Sequence, residues 1–391
     1  MPAAPPVPRA APPRDDPAAV KVWSAALTSG FPRRASGRVA GYRRFAATPL
    51  PPSLRPSVWA LLLAALPPGA VSRPTGEVRG GTPGGGREKR SYAALVAAGA
   101  AALDADATHT VEADVRRAVP GAAGYVAVRV GSAAATVTAA TATATAAGAP
   151  AAAANGGAAP AAGAPAPTPL TQDALRRVLH AYAGHAPSVG YCQGMGDMAS
   201  VVLSQAPSEA AAAAMFRTLM DGYGFAELFA PGFPAIGRWL GDVDTATRAG
   251  AGGAALLDGL AAEGVPLEMV ADKWLLSGLT YTWPPSVVLR VWDAVLLRGT
   301  PKPLTRAAAA ALLLAAPRLT GRPFEEAVGY LQRGIVVPAS GGVVTDDPPA
   351  VAALLKTAGG LKWKRAAVPG APPRRGGCLA CGVGGGAGDV P

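Results

Sequence analysis

The sequence predicts an all-α protein. Two observations carry that reading. Apolar residues recur at helical spacing along most of the chain, and no sustained period-2 alternation occurs. A third observation limits the size of the core. Gly and Pro number 49 and 40 of 391 residues, well above average usage, so part of the chain is low-complexity sequence.

In chain order, residues 1–35 read as a disordered Pro/Ala/Arg tail. Order is expected from about Gly41. The segment Leu54–Leu66 is apolar and closes at Pro67-Pro68, which predicts a helix. Residues 72–90, with Gly84, Gly85 and Gly86, read as a loop. Ser91 to about Val119 carries a helical pattern, and Pro120 is expected to stop it. Residues 130–172 hold no charged and no aromatic residue, so nothing in them can anchor a core. They predict a flexible insertion, because the Ala-Thr alternation at 138–146 would bury too little area for a strand. Order resumes at Thr171, where Leu175, Val178, Leu179 and Tyr182 make one apolar helix face. Further helices are expected at 194–205, 208–221, 233–241, 253–263, 266–278, 285–297, 304–315 and 323–334. The domain map is therefore a tail over 1–35, a helical domain over 36–340 in two sublobes with an insertion at 130–170, and a Gly/Pro tail over 341–391.

Composition excludes several classes. Glycines lack a three-residue period, and three cysteines cannot staple a chain of this length. No run of about 18 apolar residues exists, so no membrane span is expected. The longest candidate, Ala307–Ala316, reads as a buried or half-buried helix. The N-terminus lacks a compact apolar signal segment. Net charge is +11 from 36 basic and 25 acidic residues. The basic residues are scattered and lack interleaved aromatics, so nucleic acid is not an expected partner. Cys378 and Cys381 form one C-x-x-C without the further ligands that a structural zinc needs, and no metal is expected. His109, His180 and His185 lack a paired nucleophile. No Gly-rich loop ends in Lys-Ser/Thr, so the chain should not cradle a nucleotide.

Three segments join large aromatics to charged or amide groups. Arg55 stands four residues before Trp59, which puts both on one helix face. Read alone, that is a structural anchor. Asp114 and Arg117 sit three apart, just before Pro120. Read alone, they are a surface ion pair worth a few tenths of a kcal/mol. In Gly190-Tyr191-Cys192-Gln193-Gly194 the flanking glycines let the backbone bend and free the Gln side chain to reach outward. An amide can hold a water or a phosphate-bound group in one orientation.

In this order the three segments resemble the TBC-domain family, the GTPase-activating proteins of Rab-type small GTPases. The family's R-x-x-x-W, I-x-x-D-x-x-R and Y-x-Q motifs correspond here to Arg55/Trp59, Val111/Asp114/Arg117 and Tyr191/Gln193. Lys273-Trp274 and Val288 to Gly299, with Trp292 and Asp293, are similar to its C-terminal Trp segments. The resemblance covers roughly residues 41–335. Ala118 stands where the family usually has Thr, and Gly196 where it usually has Asn. A long insertion between Arg117 and Gln193 is compatible with one site, since doubling a loop adds only about 0.6 kcal/mol of closure cost. The resemblance implies that Arg117 and Gln193 are catalytic fingers supplied in trans, with Asp114 and Tyr191 supporting them. It implies that Arg55, Trp59, Trp274, Trp292 and Asp293 are scaffold. The implied partner is a GTP-bound Rab-type GTPase that holds Mg2+ and GTP itself, so this chain needs no cofactor. The implied location is cytoplasmic, with peripheral association on endomembranes through the partner. The alternative is a catalytically silent TBC-like scaffold that binds a GTPase or another partner in membrane traffic.

Overall fold

The structure, a computed structural model, describes residues 15–32, 38–64, 90–130 and 170–362. Among these it is helical throughout, with no strand. Fifteen α-helices are described: α1 Pro17–Ser29, α2 Tyr42–Ala47, α3 Arg55–Ala64, α4 Tyr92–Ala102, α5 Ala105–Val130, α6 Gln172–His185, α7 Met195–Gln205, α8 Glu209–Arg217, α9 Ile236–Arg248, α10 Gly253–Ala262, α11 Glu268–Leu276, α12 Pro285–Arg298, α13 Lys302–Leu319, α14 Phe324–Gln332 and α15 Pro348–Gly360. No described helix is long and apolar enough to cross a membrane.

The sequence marks the start of five of these helices with a side-chain cap. Asp16, Ser91, Thr171, Ser208 and Asp347 each accept a backbone N–H of the first turn of the helix that follows, satisfying one of the donors a helix start leaves orphaned. The alanine-rich α4 has no strongly apolar stripe. It is held by close approach instead. A Cβ at Gly99 would stand 1.8 Å from the His180 carbonyl oxygen, and one at Gly184 2.2 Å from that of Leu95. The backbones of α4 and α6 meet where large side chains would keep them apart. Likewise Ala307 to Ala311 of α13 are all buried, so this helix is central to the packing.

The tails differ from the sequence expectation. Residues 1–35 were expected to be disordered, yet α1 lies within them and buries Trp23. The Trp23 ring sits 5.0 Å from that of Phe45 and 6.2 Å from that of Phe31, and its Nε1 donates to the Thr48 carbonyl at 3.3 Å. One large aromatic anchors a segment whose Pro/Ala composition suggested a tail. At the other end, α15 occupies 348–360 of the expected Gly/Pro tail and buries Leu354. Pro120 does not stop α5, which runs ten residues further with the proline inside it. A helix-interior proline costs about 3 kcal/mol, offset here because Ala122, Tyr125 and Val126 enter the core. The pattern over 91–119 is two helices, broken at Leu103-Asp104, where Asp104 Oδ1 accepts the Ala107 N–H at 2.7 Å. The helix expected over 233–241 starts at Ile236 and continues to Arg248. The loop at 72–89, the insertion over 131–169 and the residues from 363 onward, Cys378 and Cys381 included, lie outside the described residues.

Candidate functional site

Asp114 is where the site is built. It lies on α5, nearly fully buried, and three donors converge on it. The Tyr191 hydroxyl donates to Oδ2 at 2.5 Å, and the Gly194 N–H reaches the same oxygen at 3.4 Å. Arg117, one turn along α5, donates through an amino group to Oδ1. One carboxylate thus joins the helix that carries Arg117 to the loop that carries Gln193. Bonds to a charged acceptor are among the stronger ones, although solvent screens the mostly exposed Arg117 end.

Local structure explains why these groups meet. Cross-helix ion pairs fix α6 on both sides: Arg176 pairs with Glu112 of α5, one bond at 2.8 Å, and Arg177 pairs with Glu209 at the start of α8 at 2.7 Å. After α6 the chain turns through Pro187 and reaches Gly194 in a left-handed conformation, φ +100°, which favours glycine. A Cβ there would stand 2.9 Å from the Leu276 carbonyl oxygen. Gly194 therefore lets the loop sit directly on the end of α11. At Gly196, a Cβ would lie 3.2 Å from the Tyr191 hydroxyl and 3.3 Å from Asp114 Cβ. A side chain at this position would press on the Tyr191–Asp114 pair, which would have to give by a few tenths of an ångström. Ala118 is buried, on the core side of α5, so its departure from Thr is a matter of packing.

Arg117 and Gln193 both face solvent, the Arg117 side chain 61% exposed. Arg116 is also exposed, but Arg117 is the one that pairs with Asp114. Burial beside Asp114 drives the Tyr191 hydroxyl pKa well above its usual value, so it stays a donor.

The remaining sequence-predicted residues form a separate buried unit. Asp293 Oδ1 accepts from Arg55 Nε at 3.1 Å and from Trp59 Nε1 at 2.7 Å, and Oδ2 accepts from a second Arg55 nitrogen at 3.1 Å. The rings of Trp59 and Trp292 stack 6.0 Å apart, and Trp292 Nε1 donates to the Gly278 carbonyl at 2.9 Å. Trp274 packs edge-on against Trp283 at 5.5 Å. All five of Arg55, Trp59, Trp274, Trp292 and Asp293 are buried.

Sequence reading missed Asp197. It lies in the first turn of α7, partly buried beside Asp114 and Arg117. Burial first, and the Asp114 charge second, push its carboxyl pKa from 3.8 up to about 6, with Arg117 opposing. A carboxyl raised in the fold contributes stability below its unfolded pKa, and loses it as pH rises through the folded value. Asp197→Asn is therefore expected to stabilise the protein by about 2–3 kcal/mol above pH 6. The gain should shrink to nothing below about pH 4. Thermal midpoints of both proteins at pH 4, 5, 6 and 8 check this. A gain independent of pH would show that ionisation is not its cause.

Fold and site together define a helical protein that presents an arginine oriented by a carboxylate, and a glutamine, from adjoining elements. The family model described as the Rab-GTPase-TBC domain matches residues 164–320. The match contains Tyr191, Gln193, Trp274, Trp292 and Asp293, whereas Arg55, Trp59, Asp114 and Arg117 precede it. The chain is 34% identical over 127 residues to the GTPase-activating protein GYP5 of Saccharomyces cerevisiae, covering 32% of this chain and 14% of that protein. It is 32% identical over 137 residues to the growth hormone-regulated TBC protein 1-A of Danio rerio, covering 34% and 36% respectively. The matched regions are thus about a seventh and a third of those relatives. The crystal structure of the Chlamydomonas flagellar RabGAP TBC domain superposes with a TM-score of 0.53 at 18% identity, covering 87% of this chain and 89% of that one. The all-α TBC fold and the resemblance to the TBC-domain family are thereby shown.

Proposed function

We propose that this chain accelerates GTP hydrolysis on a Rab-type small GTPase by supplying Arg117 and Gln193 in trans. The carrying observation is the convergence of Arg117, Tyr191 and Gly194 on Asp114, which fixes the two exposed finger positions relative to each other. The similarity of residues 164–320 to the Rab-GTPase-TBC domain supports the partner class.

The chemistry is phosphoryl transfer to water. Its transition state spreads negative charge over the γ-phosphoryl and leaving oxygens, so an added cation and a held water are what help. Arg117 contacts Asp114 through one amino group, and a guanidinium has five N–H donors. The others remain for phosphate oxygens while Asp114 keeps the side chain aimed. Gln193 orients the attacking water. The GTPase holds Mg2+ and GTP, and this chain contributes no cofactor. The protein acts in the cytoplasm, and reaches endomembranes peripherally through its GTP-bound partner.

The test is phosphate release from a panel of GTP-loaded Rab proteins, with and without this chain. Acceleration of at least one Rab is the expected result. Binding without acceleration would replace this reading with a silent scaffold.

A further inference from the structure

Gly194, next to Gln193, touches two segments. A Cβ at this position would stand 2.9 Å from the Leu276 carbonyl oxygen and 3.5 Å from the Phe229 ring. Each segment runs within a few residues into backbone strain. Among the described residues, the only non-glycine residues at positive φ are Phe233, φ +48°, and Leu279, φ +74°. One follows Phe229 and the other follows Leu276. Bulky side chains avoid this region, and where it is held it clusters at functional sites.

Both segments are firmly held. The Phe233 N–H donates to the Ala230 carbonyl at 2.9 Å, the Ala235 N–H returns to the Glu227 carbonyl at 3.2 Å, and Arg238 pairs with Glu227. In the second, the Leu279 N–H donates to the Trp274 carbonyl at 2.6 Å, and the Tyr281 N–H to Ser277 Oγ at 3.3 Å. Each ends in an exposed aromatic. Phe233 is 44% exposed and Tyr281 66%, with Lys273 Nζ 5.8 Å from the Tyr281 ring centre. Exposing a large apolar ring on a strained, well-tied turn gives the fold itself nothing. It suits an anchor for a partner, since rigid aromatics bind at low entropic cost.

We propose that Phe233 and Tyr281 are the docking anchors for the small GTPase whose nucleotide Arg117 and Gln193 engage, covering apolar surface of that protein beside its nucleotide site. This rests on the function proposed above. The occupant follows from continuity: a side chain as short as Gln193 reaches the nucleotide only if the GTPase surface lies against the loop that presents it, and that loop rests from beneath on the two segments, whose exposed rings Phe233 and Tyr281 lie four and five residues beyond the points of contact. The anchors set affinity, and the fingers set turnover.

Phe233→Gly and Tyr281→Ala separate docking from folding. Glycine accepts φ +48° freely, so Phe233→Gly should leave the thermal midpoint unchanged or raise it. Each variant should raise KM for a responsive GTP-loaded Rab by about tenfold or more, with kcat within about twofold. Binding to the same Rab loaded with a non-hydrolysable GTP analogue should weaken in parallel. If KM and binding are unchanged in both variants while Arg117→Ala abolishes activation, the docking proposal falls and the finger reading stands. If the full chain neither binds nor activates any Rab of the panel, both fall together.

Discussion

Arg117→Ala is expected to lower GTPase activation by roughly 10³ to 10⁵ while leaving the fold intact. An arginine supplied to the γ-phosphoryl group lowers the barrier by about 4–7 kcal/mol. The Arg117–Asp114 pair is mostly exposed on the arginine side, and Asp114 keeps Tyr191 and Gly194 as donors without it, so its contribution to stability is about 1 kcal/mol or less. Arg117 is mostly exposed and its visible bond is to Asp114 on its own helix, so truncation removes no core packing. Single-turnover phosphate release should collapse and the thermal midpoint should hold. Gln193→Ala should also abolish most of the activation, since the exposed amide supports no core contact. Arg117→Lys should be nearly as damaging, because an ammonium lacks the planar fork of donors. Arg116→Ala should be much milder, since the Asp114 carboxylate orients its neighbour. If Arg117→Ala activates a responsive Rab as well as the parent, Arg117 is not the finger.

The candidate site was legible in the sequence through the resemblance of its motifs, taken in order, to those of the TBC-domain family; each segment alone reads as structural. Arg, Asp, Tyr and Gln at fixed spacings between glycines carry a signal that survives an alanine-rich background. The spacing of Asp114 and Arg117 gives their contact directly from helix geometry. That Asp114 also binds Tyr191 and Gly194, some 80 positions away, depends on how α5 lies along α7, which no local pattern encodes. Asp197 was not legible for the same reason: its perturbation comes from burial and from a carboxylate on another helix. Helix type was readable wherever an apolar stripe repeats, as at Leu175, Val178, Leu179 and Tyr182. Boundaries failed where a long-range contact overrides a local rule. Pro120 ends a helix by local chemistry, but burial of Tyr125 and Val126 carries α5 past it. Trp23 turns an apparent tail into a packed helix, because one aromatic can outweigh the disorder bias of the prolines around it.

Asp293→Ala should destabilise the protein by about 3–5 kcal/mol, a large share of a typical total of 5–15 kcal/mol. Asp293 is the carboxylate that compensates Arg55, a guanidinium only 3% exposed. It also accepts the Trp59 indole N–H. Arg55 has one further bond, to the Leu50 carbonyl at 3.1 Å, and its remaining amino group is already buried without a partner. A second positive charge stands close by. Burial holds Arg290 below the usual arginine pKa, Asp293 opposes that, and Arg55 adds to it. Removing Asp293 would leave the buried Arg55 cation without its anion, and with the half-buried Arg290 charge adding to the penalty. The cost is that of breaking the pair from one side, which differs from what the pair contributes to stability. Replacing both partners with apolar residues of similar size, as in Arg55→Met with Asp293→Leu, should therefore recover much of the loss. Urea unfolding of the parent, the single variant and the double variant measures this. A single variant within about 1 kcal/mol of the parent would mean that water reaches Arg55, and that the Arg55–Asp293–Trp59 unit does not hold α3 to α12.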